Sequence, residues 1–209
     1  KCIFTIMPDD SYVLMNGGLL RFKLLSIKDD KKIVAITLNI QTSYTGTCTT
    51  NFLGMRLCRT ENKLRWKQDL SIHELLDIQG YECYHIPEVY FKDDIDDYHL
   101  ERSRKRWRSD LEKLHAMREK TTDKGTLARI VFYLGKTYEM LKEKEQAAYW
   151  LNKKITEFSE TSDPGETYRT LISLGTEEEN IETALAFFNK AITRLPKSRE
   201  AYYYAGKKC

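Results

Sequence analysis

Hydrophobic and polar positions alternate in short runs over the first half of the chain. Cys2–Met7 (CIFTIM) is an unbroken apolar segment that reads as a buried strand, closed by the turn-forming Pro8-Asp9-Asp10-Ser11. Asn16–Ile27 carries Leu19, Leu20, Phe22, Leu24 and Leu25 and reads as a short helix. The polar Lys28-Asp29-Asp30-Lys31-Lys32 is a turn with solvated carboxylates, and Ile33–Ile40, rich in β-branched residues, reads as a strand. Gln41–Thr50 is a Thr/Ser/Gly-rich loop or hairpin arm. Two apolar and basic runs, Met55–Arg59 and Lys63–Lys67, flank Thr60-Glu61-Asn62 and predict a strand, a tight turn and a second strand. Tyr81–Tyr90 alternates like a strand in its first half, until Pro87 interrupts it.

The period changes near Asp93. A helix is expected from about Tyr98 to Glu119, with Leu100, Trp107, Leu111 and Leu114 on its inner face, and Thr121–Gly125 breaks it. From Lys124 onward a repeat emerges. Leu134-Gly135-x-x-Tyr138, Ala147 and Leu151 form one unit, and Tyr168, Leu171, Ala184, Phe188, Ala191 and Pro196 a second. Tyr202 and Ala205-Gly206 open a third. This spacing matches the tetratricopeptide pattern, in which small residues let paired helices approach closely. The first unit is longer than the usual repeat of about 34 residues, and Lys154 stands where that pattern commonly has Ala.

Composition adds limits. A chain of 209 residues with 41% hydrophobic and 31% charged residues can bury a real core in one or two domains. A net charge of +3 makes no overall electrostatic case for nucleic acid, and no apolar run approaches the roughly 18 residues of a membrane span. Cys2, Cys48, Cys58, Cys83 and Cys209 lack CxxC spacing and read as reduced core thiols, which points to a reducing, cytoplasmic setting. The chain begins inside an apolar run and stops a few residues into a fresh helix, so it reads as a piece of a longer protein.

Candidate chemistry gathers at two places. Asp9 and Asp10 follow a strand, where a carboxylate pair can hold Mg²⁺ or Mn²⁺ and through it a diphosphate; the alternative is that they cap the helix near Asn16. His73-Glu74 pairs an imidazole with a carboxylate, a metal ligand with a general base. In a regular strand the two alternate faces, so both reach one site only if the backbone turns there. His85 reads as a structural histidine, and the basic Glu101–Arg108 segment as a solvated helix face.

Taken in order, Arg56-Leu57-Cys58-Arg59, Arg65-Trp66, His73-Glu74-Leu75-Leu76, His85, Ser109-Asp110-Leu111 and Phe132-Tyr133-Leu134-Gly135 resemble one family: family 2 glycosyltransferases of the GT-A fold with a tetratricopeptide tail. The resemblance covers nearly the whole chain. It implies an α+β class, with the C-terminal half of a GT-A-like mixed sheet domain over 1–97, a charged linking helix over 98–123 and truncated helical repeats over 124–209. It further implies sugar transfer from a nucleotide-sugar donor to the hydroxyl of a glycan or protein acceptor. Asp9, Asp10 and His73 would hold a divalent cation (Mn²⁺ or Mg²⁺), Glu74 would be the catalytic base, and Arg56, Arg65 and Trp66 would bind substrate. Arg59 could also neutralise phosphate charge. The helical repeats would offer a surface for a protein partner or self-association. The family's Asp-x-Asp motif is altered, since Met7 stands where its first Asp belongs. The nucleotide-binding half would precede Lys1, so the chain alone is expected to be inactive. The rival expectation is a non-catalytic tetratricopeptide scaffold on a degenerate transferase domain.

Overall fold

The computed structural model describes residues 2–9, 11–44, 47–64, 78, 80–160 and 162–209. The chain is mixed α+β. Strands β1 (Phe4–Ile6), β2 (Tyr12–Met15), β3 (Ile33–Tyr44), β4 (Thr47–Arg59) and β5 (Glu82–Ile95), with helix α1 (Gly17–Ser26), precede a run of helices. These are α2 (Asp97–Lys120), α3 (Lys124–Met140), α4 (Lys144–Phe158), α5 (Pro164–Glu177), α6 (Ile181–Arg194) and α7 (Arg199–Lys208). Two compact units divide the chain, Lys1–Arg102 and Ser103–Cys209.

In the first unit the strand order is β1-β4-β3-β5-β2. Central β3 runs antiparallel to β4 and parallel to β5. Val34, Ala35, Ile36, Leu38 and Ile40 are all buried, so both faces of β3 are covered over its first half and the strand reads as a near-continuous apolar run. Leu57, Ile86, Val89 and Phe91 join it in one core with Leu20 and Ile27. The Thr/Ser-rich stretch after Ile40 extends β3 and opens β4, so it forms both arms of a hairpin. The apolar run near the N-terminus behaves differently. β1 pairs only with β4 and leaves Ile3 and Ile6 exposed, so it is a short edge strand and not a buried one. The strand expected to stop at Pro87 instead runs through it. The ladder passes from Thr37↔His85 to Asn39↔Tyr90, and this irregularity absorbs the proline, while Asn39 Nδ2 donates to the Pro87 carbonyl at 3.3 Å.

In the second unit, α2 turns Leu111 and Leu114 inward as its spacing predicts. Asp123, Asp163 and Asn180 each accept a hydrogen bond from the backbone N–H three residues on, starting α3, α5 and α6. Pro164 begins α5, where its missing N–H costs nothing. The helices then pack at glycine. A Cβ on Gly135 of α3 would stand 2.6 Å from Leu151 Cδ2 of α4, and one on Gly175 of α5 would stand 2.7 Å from Phe188 Cε1 of α6. Ala147 and Ala184, one turn before those two large side chains, are buried with them.

Candidate functional site

β1 ends against β4, and the turn that follows bends back into β2. Met7 N–H donates to the Arg56 carbonyl at 2.7 Å, and Tyr12 N–H donates to the Asp9 carbonyl at 3.2 Å. Asp9 therefore belongs to the turn between β1 and β2. With a whole strand between it and α1, it does not cap that helix, which the chain enters through Asn16 in a left-handed conformation (φ 59°). Asp9 is exposed.

From β4 comes Arg56. The β3–β4 ladder passes from Ile36↔Leu57 to Thr37↔Met55, so Arg56 is the extra residue of a bulge, a place where a strand re-aims a side chain. Its guanidinium lies 5.0 Å from the centre of the Tyr12 ring and donates to the Tyr12 hydroxyl at 3.1 Å. Burial pushes the Tyr12 phenol above its ordinary range; Arg56 pulls the other way, and the carboxylates of Asp9 and Asp93 add to the upward shift. The Arg56 Nε is buried with no hydrogen-bond partner among the described residues. Gly54 makes room beside it: a Cβ there would overlap Ile40 Cδ1 and come within 3.3 Å of that Nε. Asp9, Tyr12 and Arg56 thus form one polar corner, with an exposed anion, a half-buried cation and a phenol. The sequence pattern singles out Asp9 and Arg56 and misses Tyr12, whose only local signal is an aromatic three residues beyond an Asp in a turn.

Arg59 lies on the same strand and has another use. Its guanidinium donates to the backbone carbonyls of Ile33 (3.0 Å), Lys28 (2.9 Å), Ile27 (3.3 Å) and Asp30 (2.8 Å), and it stacks 4.7 Å from the Phe4 ring. A side chain 1% exposed, with four hydrogen bonds to backbone carbonyls, seals the turn between α1 and β3 and is not a phosphate ligand. His85 is tied to the neighbouring strand: its Nδ1 lies 3.1 Å from the Thr37 carbonyl and 3.3 Å from the Thr37 hydroxyl.

Five of the sequence-derived site residues, Asp10, Arg65, Trp66, His73 and Glu74, lie outside the described residues, as does most of the expected second strand at Lys63–Lys67. Among the described residues no group of three or more His, Cys, Asp or Glu gathers to hold a metal ion. Asp9 offers an exposed hard oxygen ligand, a donor that suits Mg²⁺ when phosphate oxygens and water complete the shell. The described cysteines are free, but Cys2, Cys83 and Cys209 are exposed and Cys58 half-buried, so they are not core thiols. No helix among the described residues is long and apolar enough to cross a membrane. No family model matches the chain, and no curated protein matches it.

Proposed function

We propose that the chain belongs to a glycosyltransferase that moves a sugar from a nucleotide-sugar donor to an acceptor hydroxyl, with a GT-A-like sheet and a tetratricopeptide-like helical tail. The observation that supports this reading is the polar corner at the end of β1. There Tyr12 lies between residues from segments far apart in sequence: its N–H donates to the carbonyl of the exposed Asp9, and its hydroxyl accepts from the Arg56 guanidinium. A guanidinium is a side chain suited to the oxygens of an anion such as a diphosphate, which it meets through charge-assisted hydrogen bonds.

In this reading Arg56 and Arg65 hold the diphosphate and Trp66 lines the donor site. Glu74 takes the proton of the acceptor hydroxyl as its oxygen bonds to the reactive sugar carbon. The bond from that carbon to the diphosphate breaks, and its electron pair leaves with the nucleoside diphosphate. Asp9, with Asp10 and His73, would hold Mg²⁺ or Mn²⁺, which supplies charge neutralisation at the diphosphate when bound. A second reading, a non-catalytic helical scaffold on a degenerate transferase domain, draws support from Met7, which puts a thioether where a carboxylate is expected.

Turnover of a nucleotide-sugar panel by the natural protein carrying this chain separates the two. Glu74→Gln or Asp9→Asn is expected to cut metal-dependent turnover by about a hundredfold or more, in the range general-base catalysis supplies. Turnover indifferent to both substitutions would remove these residues from the site. A folded protein that neither turns over nor binds any donor supports the scaffold.

A further inference from the structure

The second unit builds the same helix pair twice and fills it differently. Gly135 of α3 seats Leu151 of α4, and Gly175 of α5 seats Phe188 of α6, with Ala147 and Ala184 one turn before those large residues. Counted from these seats, Ala148 of α4 corresponds to Leu185 of α6. Counted from Gly175 and Gly206, Ser173 of α5 corresponds to Tyr204 of α7. Leu185 and Tyr204 pack against the core of the second pair, with the Tyr204 ring stacked 6.3 Å from Phe188. The first pair has an alanine and a serine in their place, and there a cavity of about 270 Å³ opens between α3, α4 and α5. Its apolar floor is Ala147, Ala148, Leu151 and Leu174. Every wall belongs to these three helices or to the turn between α3 and α4, inside the second unit.

The charges at its rim leave one cation over. Glu139 is paired with Lys136 and accepts from the Ser173 hydroxyl at 3.3 Å. Glu177 meets Lys144 at 2.9 Å, and Glu143, on the turn, meets Arg108 at 3.4 Å. Lys142 lines the cavity with no ion pair among the described residues. It also closes α3 in the left-handed region (φ 62°), where its N–H donates to the Glu139 carbonyl at 3.0 Å. Glycine is the usual residue at such a helix end. A lysine there is strained, and what it adds over glycine is an ammonium at the cavity.

We infer that this cavity binds a small aromatic carboxylate. Its ring takes the place that Leu185 and Tyr204 fill in the second pair, and its carboxylate meets the Lys142 ammonium at the rim. The ring is held by the apolar floor, and the charge-assisted hydrogen bond to Lys142 fixes which end faces out. An apolar concave lining with one convergent charged group is the general form of a small-molecule site, and this one sits at the small end of the usual size range. The site stands independently of the transferase reading.

The probe is hydrocinnamate, titrated by calorimetry into the natural protein carrying this chain. Saturable binding is expected with a Kd of about 1 mM or below, and thermal unfolding should shift upward as the probe is added. Ala148→Leu puts in α4 the residue that α6 carries, and by filling the cavity should weaken binding about tenfold or more. Ala148 is exposed, so this variant should keep the helical circular dichroism of the parent. Lys142→Gln should weaken binding about threefold or more, the range of a solvent-exposed ion pair. Hydrocinnamyl alcohol, which keeps the ring and lacks the charge, should bind the parent more weakly than the acid and should bind Lys142→Gln as well as it binds the parent. Absence of saturable binding overturns the inference. Equal binding to the parent and to Ala148→Leu overturns it as well, because the probe would then sit elsewhere. Hydrocinnamate held as tightly by Lys142→Gln as by the parent overturns the assignment of a carboxylate.

Discussion

Arg59 in the sheet unit and Lys154 in the helical unit are both shut off from water, at 1% and 0% exposure, yet they are held by different kinds of partner. Arg59 spends its guanidinium on four backbone carbonyls, and the Glu61 carboxylate stands 4.0 Å away. Lys154 donates to one carbonyl, that of Ala128, at 2.8 Å and to the Glu166 carboxylate at 2.9 Å, with the Phe132 ring 5.6 Å away. The planar fork of arginine can satisfy several acceptors of an irregular turn at once, whereas a lysine ammonium is a compact charge. A cation that serves backbone carbonyls leaves them behind when it is removed, since they belong to the main chain. A cation paired with a buried carboxylate forms a removable unit.

The largest expected effects come from breaking each arrangement on one side. Glu166→Gln leaves the Lys154 charge buried without its counter-ion and should cost about 3–5 kcal/mol in urea unfolding. Arg59→Met removes a donor from each carbonyl it serves. The bonds to Ile33 and Ile27 are the buried ones, and the Ile27 carbonyl still accepts from the Asp30 N–H at 3.1 Å, so with one buried acceptor left without Arg59 the loss should be roughly 1–3 kcal/mol. Arg59→Lys should recover only part of this, because an ammonium cannot reach four acceptors spread over one turn. A loss below about 1 kcal/mol for Glu166→Gln would show that the Lys154 pair is not sealed from water.

A smaller effect sharpens the contrast. Replacing both members of the helical pair, Lys154→Met with Glu166→Leu, should leave stability within about 2 kcal/mol of the parent in either direction, since apolar groups of similar volume can replace a buried ion pair. Arg129, 3.8 Å from Glu166 and 20% exposed, can turn to water when the carboxylate goes. No second substitution should rescue Arg59→Met in the same way. A double variant as unstable as Glu166→Gln alone would mean that the pair fixes the geometry of α3, α4 and α5 beyond its own charges.

The two cations also show how far a sequence can be read. Lys154 is visible as an exception, a lysine where the helical repeat calls for a small residue, and its partner Glu166 follows from no spacing rule. Most of the helical unit is legible because its packing code is local: Gly135, Ala147, Gly175 and Ala184 mark close approach within each pair of consecutive helices. The sheet is less so. β2 is four residues of YVLM beside a longer helical pattern, and Pro87 looks like a strand end until β5 is seen to bulge around it. Arg59 reads as a phosphate ligand because nothing local reveals which carbonyls lack donors. The polar corner is half legible. Asp9 and Arg56 stand out separately, but their meeting depends on the pairing of β1 with β4, and Tyr12 reaches Arg56 only once the chain has turned back after that pairing.

The smallest predicted difference is in pH dependence. Burial holds the Lys154 ammonium below its ordinary value of 10.5, with Glu166 and Asp163 opposing that shift and Arg129 adding to it. The sign follows from proton counts. Between the lowered folded value and 10.5 the unfolded chain keeps the Lys154 proton while the folded chain loses it, so the unfolded state binds more protons there. This group therefore makes stability rise with pH in that window, and below it the folded chain bears the full cost of the buried charge. Other groups act at the same time, such as Tyr168, whose phenol is pushed up by burial and contributes a fall with pH. The measurement is thus a difference, the unfolding free energy of the parent minus that of Lys154→Met, followed from neutral pH toward 10.5. It should rise as that upper limit is approached. A flat difference would mean that Glu166 holds Lys154 charged as firmly as water does.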